Sequence, residues 1–133
     1  MSEVRELRLV VTVDDYEAAV AFYRDVLGLT EQGAFQAPNG GRVTILDAGR
    51  ATLELADAAQ ADYIDEVEVG RRVAGKYRVA FEVTDAEGTT RRLAAAGASV
   101  LAEPTRTPWN SLNARLEAPG GVQLTLFQEL GPS

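Results

Sequence analysis

Histidine and cysteine, the side chains that most often supply nucleophiles, near-neutral bases and transition-metal ligands, are both absent from this 133-residue sequence. No side chain therefore titrates near neutrality at its ordinary value, and a Ser-His-Asp or Cys-His nucleophile system is excluded. Acid–base chemistry falls to a carboxylate, to Lys76 or to a tyrosine with a shifted pKa. A metal site would be built from Asp, Glu, Asn, Gln or backbone oxygens, a set better suited to Mg²⁺ or Ca²⁺ than to Zn²⁺ or Fe²⁺. The remaining conspicuous residue is Trp109, the single tryptophan, in the segment TRTPWNS. A core tryptophan more often stands inside an apolar strand. An indole in a polar, proline-bearing loop can stack on a flat ligand at little entropic cost.

Charge limits the partners. Twenty acidic residues against thirteen basic ones give a net charge of −7, with no basic stripe, which argues against binding a phosphate backbone and favours neutral or cationic ligands. The start MSEVRELRLVV mixes acids and bases and has no apolar run of the kind a secretory leader needs. No stretch approaches the roughly 18 apolar residues of a membrane span. A cytoplasmic location without nucleic-acid or membrane partners is the expectation. A chain this size buries roughly two thirds of its unfolded surface, enough to need no disulfide or metal staple.

Hydrophobic spacing supplies the elements that must position any site. Residues 7–13 (LRLVVTV) read as a strand. Asp14 and Asp15 can cap a helix over 16–27, with Ala19, Phe22, Tyr23, Val26 and Leu27 at helical spacing and Gly28 as its stop. Strand candidates follow at 30–37, 42–48 and 51–57, separated by Asn39-Gly40-Gly41 and Ala48-Gly49-Arg50. The pattern then recurs: a strand at 77–83, a helix capped by Asp85 that carries Leu93 and Ala96 and ends at Gly97, and strands at 98–103, 111–117 and 121–128, the last after the turn Pro119-Gly120-Gly121. Aligning Asp15 with Asp85 brings Gly28 opposite Gly97 to within one residue at an offset of about 70, an internal duplication of βαβββ. The fold class is α+β, one domain over 1–133. Its first module covers 5–57, a connector 58–75 and the second module 76–130.

The stretch VTVDDYEAAVAFYRDVLGL, then LEL, RVAFEVTD, and PW followed by LEAPGGVQLTLF, resembles the vicinal oxygen chelate superfamily, which includes glyoxalase I, extradiol dioxygenases, methylmalonyl-CoA epimerase and bleomycin-resistance proteins. The resemblance covers nearly the whole chain. It implies paired βαβββ modules that curl into a U-shaped groove. Alternation along the strands then divides the faces. Leu7, Leu9, Val11 and Val13 suit a face under the helix, leaving Arg8, Val10 and Thr12 for the groove. Val79, Phe81 and Val83 pack inward, leaving Arg78, Ala80 and Glu82; Leu53 and Leu55 flank Glu54; Val122, Leu124 and Leu126 alternate with Gln123, Thr125 and Phe127.

Metal-dependent members of that superfamily carry ligands seven residues before each helix-capping Asp and midway along the last strand of each module. The resemblance places Arg8, Glu54, Arg78 and Thr125 at those positions. Only Glu54 is a credible ligand, since two permanently charged guanidiniums repel a divalent cation. No metal or other cofactor is expected. Arg8 or Arg78 is instead expected to pair with Glu54 or Glu82 across the site. PW with a PGG-terminated strand resembles the bleomycin-resistance subgroup, in which a tryptophan in this loop faces the drug.

The connector, rich in acids but carrying Tyr63, is long enough to be a lid over the groove, a contact with a partner subunit or a solvated crossover. Together these readings point to a homodimeric binding protein that sequesters an aromatic, hydrophobic natural product, of bleomycin, enediyne or anthraquinone type. The ligand set is Trp109, Arg8, Glu54, Arg78, Glu82, Thr125, Phe127, Asn113 and Tyr63, with no catalytic residue. The alternative is a glyoxalase-like lyase or isomerase with Glu54 or Glu82 as its base.

Overall fold

Each half of the chain begins its helix in the same way. Asp15 accepts a hydrogen bond from the Ala18 N–H and Asp85 from the Gly88 N–H, each satisfying a donor that a first helical turn leaves free. The computed structural model describes residues 3–119 and 121–131; Gly120 of the expected Pro119-Gly120-Gly121 turn lies outside them. Its elements run β1 (Val4–Thr12), α1 (Tyr16–Val20, continued in π-helical winding by Ala21–Val26), β2 (Thr30–Gln36), β3 (Arg42–Ala48) and β4 (Ala51–Ala56). They continue as α2 (Ala58–Glu68), β5 (Tyr77–Val83), α3 (Ala86–Ala95), β6 (Ser99–Arg106), β7 (Ser111–Glu117) and β8 (Gln123–Glu129). This is the expected α+β architecture of tandem βαβββ modules. The addition is α2, a helix in what the sequence presents as a connector.

The strands form one eight-stranded sheet in the order β2-β3-β4-β1-β5-β8-β7-β6. Within each half the first strand runs parallel to the last, β1 beside β4 and β5 beside β8, and the halves meet antiparallel at β1 and β5. One register line crosses five strands: Arg115 opposite Thr125, Thr125 opposite Ala80, Ala80 opposite Arg8, and Arg8 opposite Thr52. The expected spacing of groove residues thus becomes a row on one face.

On the opposite face the helices build two cores. Val20 packs with Leu46 and Leu55, joined by Val11, Val13, Tyr16 and Leu53. Below α3, Val83, Ala86, Ala114, Leu116 and Leu126 pack with Phe81 and Leu93. Not every residue assigned inward gets there. Leu7 and Leu9 are exposed, with Tyr77 beside them, because the helices cover the two halves and leave the β1–β5 seam open. Phe22, Val26 and Leu27 are also exposed. The π winding after Val20 takes more residues per turn and rotates Phe22 and Val26 off the face that packs on the sheet.

Helix α2 owes its place to polar contacts. Its buried residues are Gln60, Ala61, Asp65 and Glu68, three of them polar, so no apolar stripe marks it in the sequence. Its first turn packs close against Gly41, where a Cβ would stand 2.4 Å from the Gln60 nitrogen. Its far end is held by Arg115, which has no exposure to solvent. That guanidinium donates to Asp65 at 2.8 Å, to Glu68 at 2.7 Å and to Gln123 at 2.7 Å. Asp65 also accepts from the Val73 and Ala74 N–H groups, and Glu68 accepts from Asn113. Burial alone would raise the Asp65 pKa, but the N–H donors of Ala74 and Val73, and then Arg115, outweigh it and hold the carboxyl below its ordinary value.

Arg115→Met strands two buried carboxylates and is expected to cost about 3–5 kcal/mol in urea unfolding; a loss near zero would show that α2 is held by other means. Because Asp65 is depressed in the folded state, its contribution is complete above about pH 4 and is lost as pH falls through the folded value. Acid titration of stability should show that loss in the native chain and less of it in Asp65→Asn.

Candidate functional site

The concave face of the sheet and α2 enclose a cavity of about 440 Å³. Sheet alternation supplies its floor, with Arg8 and Val10 from β1, Glu54 from β4, Arg78 and Ala80 from β5, Asn113 from β7 and Thr125 and Phe127 from β8. Phe35, Pro38, Val43 and Ile45 form one wall. Gln60, Tyr63, Ile64 and Glu68 of α2 face it, and Trp109 closes one side. Eight of the nine candidate residues therefore meet in one space. Glu82 is not among the lining residues, although it sits opposite Phe127 and Glu6 in the strand register.

Trp109 stands in the turn between β6 and β7, half-exposed, with its ring centre 6.2 Å from that of Tyr63 and the planes inclined by 47°. The turn is fixed from below by the buried Thr107 and Ser111 hydroxyls at 2.9 Å, and Asn110 takes a left-handed conformation at φ 63°. Two aromatic rings from different elements thus face each other beside an apolar wall, an arrangement that can take a flat ring by stacking.

The floor is a set of neutralised charges. Arg8 donates to Glu6 at 2.8 Å, to Thr52 at 3.0 Å and to Glu54 at 3.5 Å, and lies 5.2 Å from the Phe127 ring centre. The expected pairing with Glu54 is present, and Glu6 is the nearer partner, since it stands two residues before Arg8 in unbroken register and so on the same face of β1. Arg78 differs from Arg8: among the described residues it makes no ion pair, and its one side-chain hydrogen bond runs to Thr125 at 2.7 Å. Burial lowers its pKa and Glu68, Glu54 and Asp65 act against that, while a guanidinium remains protonated at ordinary pH. Glu129 lines the cavity as well, and burial, then the neighbouring Glu82 and Glu6, push its carboxyl up.

The four ligand positions implied by the resemblance are thus two guanidiniums, a hydroxyl already engaged by one of them and a carboxylate engaged by the other. This donor set does not fit a divalent cation. Among the described residues no group of three or more His, Cys, Asp or Glu side chains could hold a metal.

Several lining residues are missing from the sequence reading. Gln60, Ile64 and Glu68 belong to a helix without apolar periodicity, and Phe35, Val43 and Ile45 lie on strands given no facing. Arg115 was within reach. The alternation in SLNARLE sets it on the face of Asn113, which already belonged to the candidate set.

Comparison with known proteins agrees with the geometry. Residues 7–126 match the family model described as the glyoxalase/bleomycin resistance protein/dioxygenase superfamily. The chain is 32% identical over 120 residues to "Putative glyoxylase CFP32" of Mycobacterium tuberculosis and of Mycobacterium bovis, covering 90% of this chain and 41% of each relative. It therefore spans about two fifths of their length. Among solved structures, a hypothetical protein from Bacillus halodurans superposes with a TM-score of 0.74 at 16% identity, covering 99% of both chains. A variant of Streptomyces coelicolor methylmalonyl-CoA epimerase, in complex with 2-nitronate-propionyl-CoA, superposes with a TM-score of 0.71 at 22% identity, covering 98% of this chain and 100% of that one.

Proposed function

The chain belongs to the glyoxalase/bleomycin resistance protein/dioxygenase superfamily, and on that premise we propose that its groove binds and sequesters an aromatic, hydrophobic natural product without a metal. The observation that carries this reading is the pair Tyr63 and Trp109, 6.2 Å apart beside an apolar wall, over a floor whose Glu54 and Glu68 are already tied to Arg8 and Arg115. A carboxylate oxygen that already accepts from a guanidinium has fewer lone pairs left for a substrate. The same floor therefore favours holding a ligand over transforming it. Planar scaffolds of anthraquinone or enediyne type, or the flat end of a bleomycin-type glycopeptide, suit the groove beside the two rings.

One feature supports a second reading, a lyase or isomerase of glyoxalase type. The raised carboxyl of Glu129 lies in the cavity wall beside Glu82, and a carboxyl poised towards neutrality can pass a proton. Glu129 then takes the role that the sequence gives to Glu54 or Glu82. Recovery of a bound aromatic compound in chemically altered form would decide for this enzyme.

As for assembly, we propose a homodimer that buries the open seam where Leu7, Leu9 and Tyr77 are exposed. Light scattering at twice the 14.3 kDa chain mass is expected, and the mass of one chain with binding intact would rule it out.

Intrinsic fluorescence of Trp109, screened against planar aromatic antibiotics, reads binding directly. Trp109→Ala should weaken binding about five- to a hundredfold, as loss of one ring contact and its buried area does. Its thermal midpoint should stay close to that of the native chain, because a half-exposed side chain in a turn supports little of the core. Loss of several kcal/mol of stability, the size of a core truncation, would make Trp109 structural and remove the stacking role.

A further inference from the structure

The polar end of the cavity contains two groups whose hydrogen bonding is unfinished. Arg78 is 8% exposed, lines the cavity and gives only one of its five donors to a side chain, the Thr125 hydroxyl. Its other guanidinium nitrogens are not buried without partners, so they open on the cavity. Gln60 is 7% exposed, and its amide oxygen is buried with no partner among the described residues. Both residues also line a smaller cavity of about 10 Å³ between α2 and the sheet, together with Glu54 and Ile64. A space that size holds at most one water. Arg78 therefore keeps free donors at the cavity surface, with Glu54 among the residues that line the same space, whereas the Gln60 oxygen is sealed from that surface.

An unfinished buried donor or acceptor is costly, and a ligand that completes it recovers that cost on binding. The sign of the surrounding charge selects which ligand. Arg8 is answered by Glu6 and Glu54, and Arg115 by Asp65 and Glu68, so each engaged arginine already faces two carboxylates. A ligand with a full negative charge would meet Glu54 and Glu68 as well as Arg78. An uncharged carbonyl oxygen takes the Arg78 donors without that repulsion.

We propose that Arg78 forms a polar subsite that reads an uncharged ring carbonyl, as a quinone presents. This deepens and rests on the reading of the groove as an aromatic binding site. The guanidinium then does by hydrogen bonding what a metal ion would do by coordination, namely hold an oxygen of the ligand at the centre of the groove.

Calorimetric titration with naphthalene, naphthoquinone and naphthalenecarboxylate tests it; the absence of cysteine removes the thiols that quinones alkylate. Naphthoquinone should bind about tenfold tighter than naphthalene, the scale of one hydrogen bond to a charged donor. Naphthalenecarboxylate should bind no tighter than naphthalene. Arg78→Met should erase the preference for naphthoquinone; should that variant not fold, Arg78→Lys, which keeps the charge and gives up the planar fork of donors, should reduce the preference instead. Equal binding of naphthalene and naphthoquinone, a preference unchanged in the Arg78 variants, or tighter binding of the carboxylate would each overturn the subsite while leaving the aromatic groove intact. Failure of all three probes to bind would overturn the groove reading and the subsite with it.

Discussion

A guanidinium sealed from water governs this structure. Arg115 is bonded to Asp65 and Glu68 of α2 and to Gln123 of β8, and α2 has no apolar stripe with which to dock by itself. The concave face of an open sheet would otherwise be wetted along its length. With α2 fixed across it, the face becomes a cavity, and Tyr63, Ile64, Gln60 and Glu68 acquire defined positions over the floor. Buried ion pairs of this kind cost desolvation and stabilise little relative to apolar packing. Their effect here is placement, and the Arg115 Nε left without a partner marks what that placement costs.

The same logic runs along the sheet. Arg8 and Arg115 stand in one register line, separated by Thr125 and Ala80, and Arg78 lies a diagonal step away, opposite Val10. Each outer arginine is tied to two carboxylates, whereas Arg78 is compensated only through space. Electrostatic neutrality is therefore reached without placing a carboxylate on the central guanidinium, and its donors remain available. This division of labour separates a floor that is structurally saturated from one point at which a ligand can still be hydrogen-bonded.

Most of the fold could be read from the chain because it rests on local signals repeated at a fixed interval. Asp15 and Asp85 cap, Gly28 and Gly97 adopt left-handed conformations at φ 92° and 112°, and the strand at 77–83 alternates in register with the strand beginning at Val4. The groove floor followed from alternation once the faces were assigned. The connector helix was hidden because its buried positions include the polar Gln60, Asp65 and Glu68, the last two engaged by a distant arginine and a distant asparagine. Arg8 pairs with Glu54 as expected, and Glu6, two residues earlier on the same face, follows from the same alternation. That Arg78 stands without a carboxylate partner was not legible, because it depends on α2, which places Asp65 and Glu68 on Arg115.

The central claim is that arginines stand at positions where the sequence resemblance implies metal ligands, and thermal unfolding with added divalent ions tests it most directly. A cation bound by the native state and not by the unfolded chain would add about 2.7 kcal/mol at a hundredfold excess over its dissociation constant. With Zn²⁺, Ni²⁺, Mn²⁺ or Mg²⁺, the unfolding midpoint is predicted to stay where it is in chelator, since Arg8 and Arg78 occupy two of the four positions and repel the ion. A rise with any one of these metals that disappears in Glu54→Gln would contradict the claim.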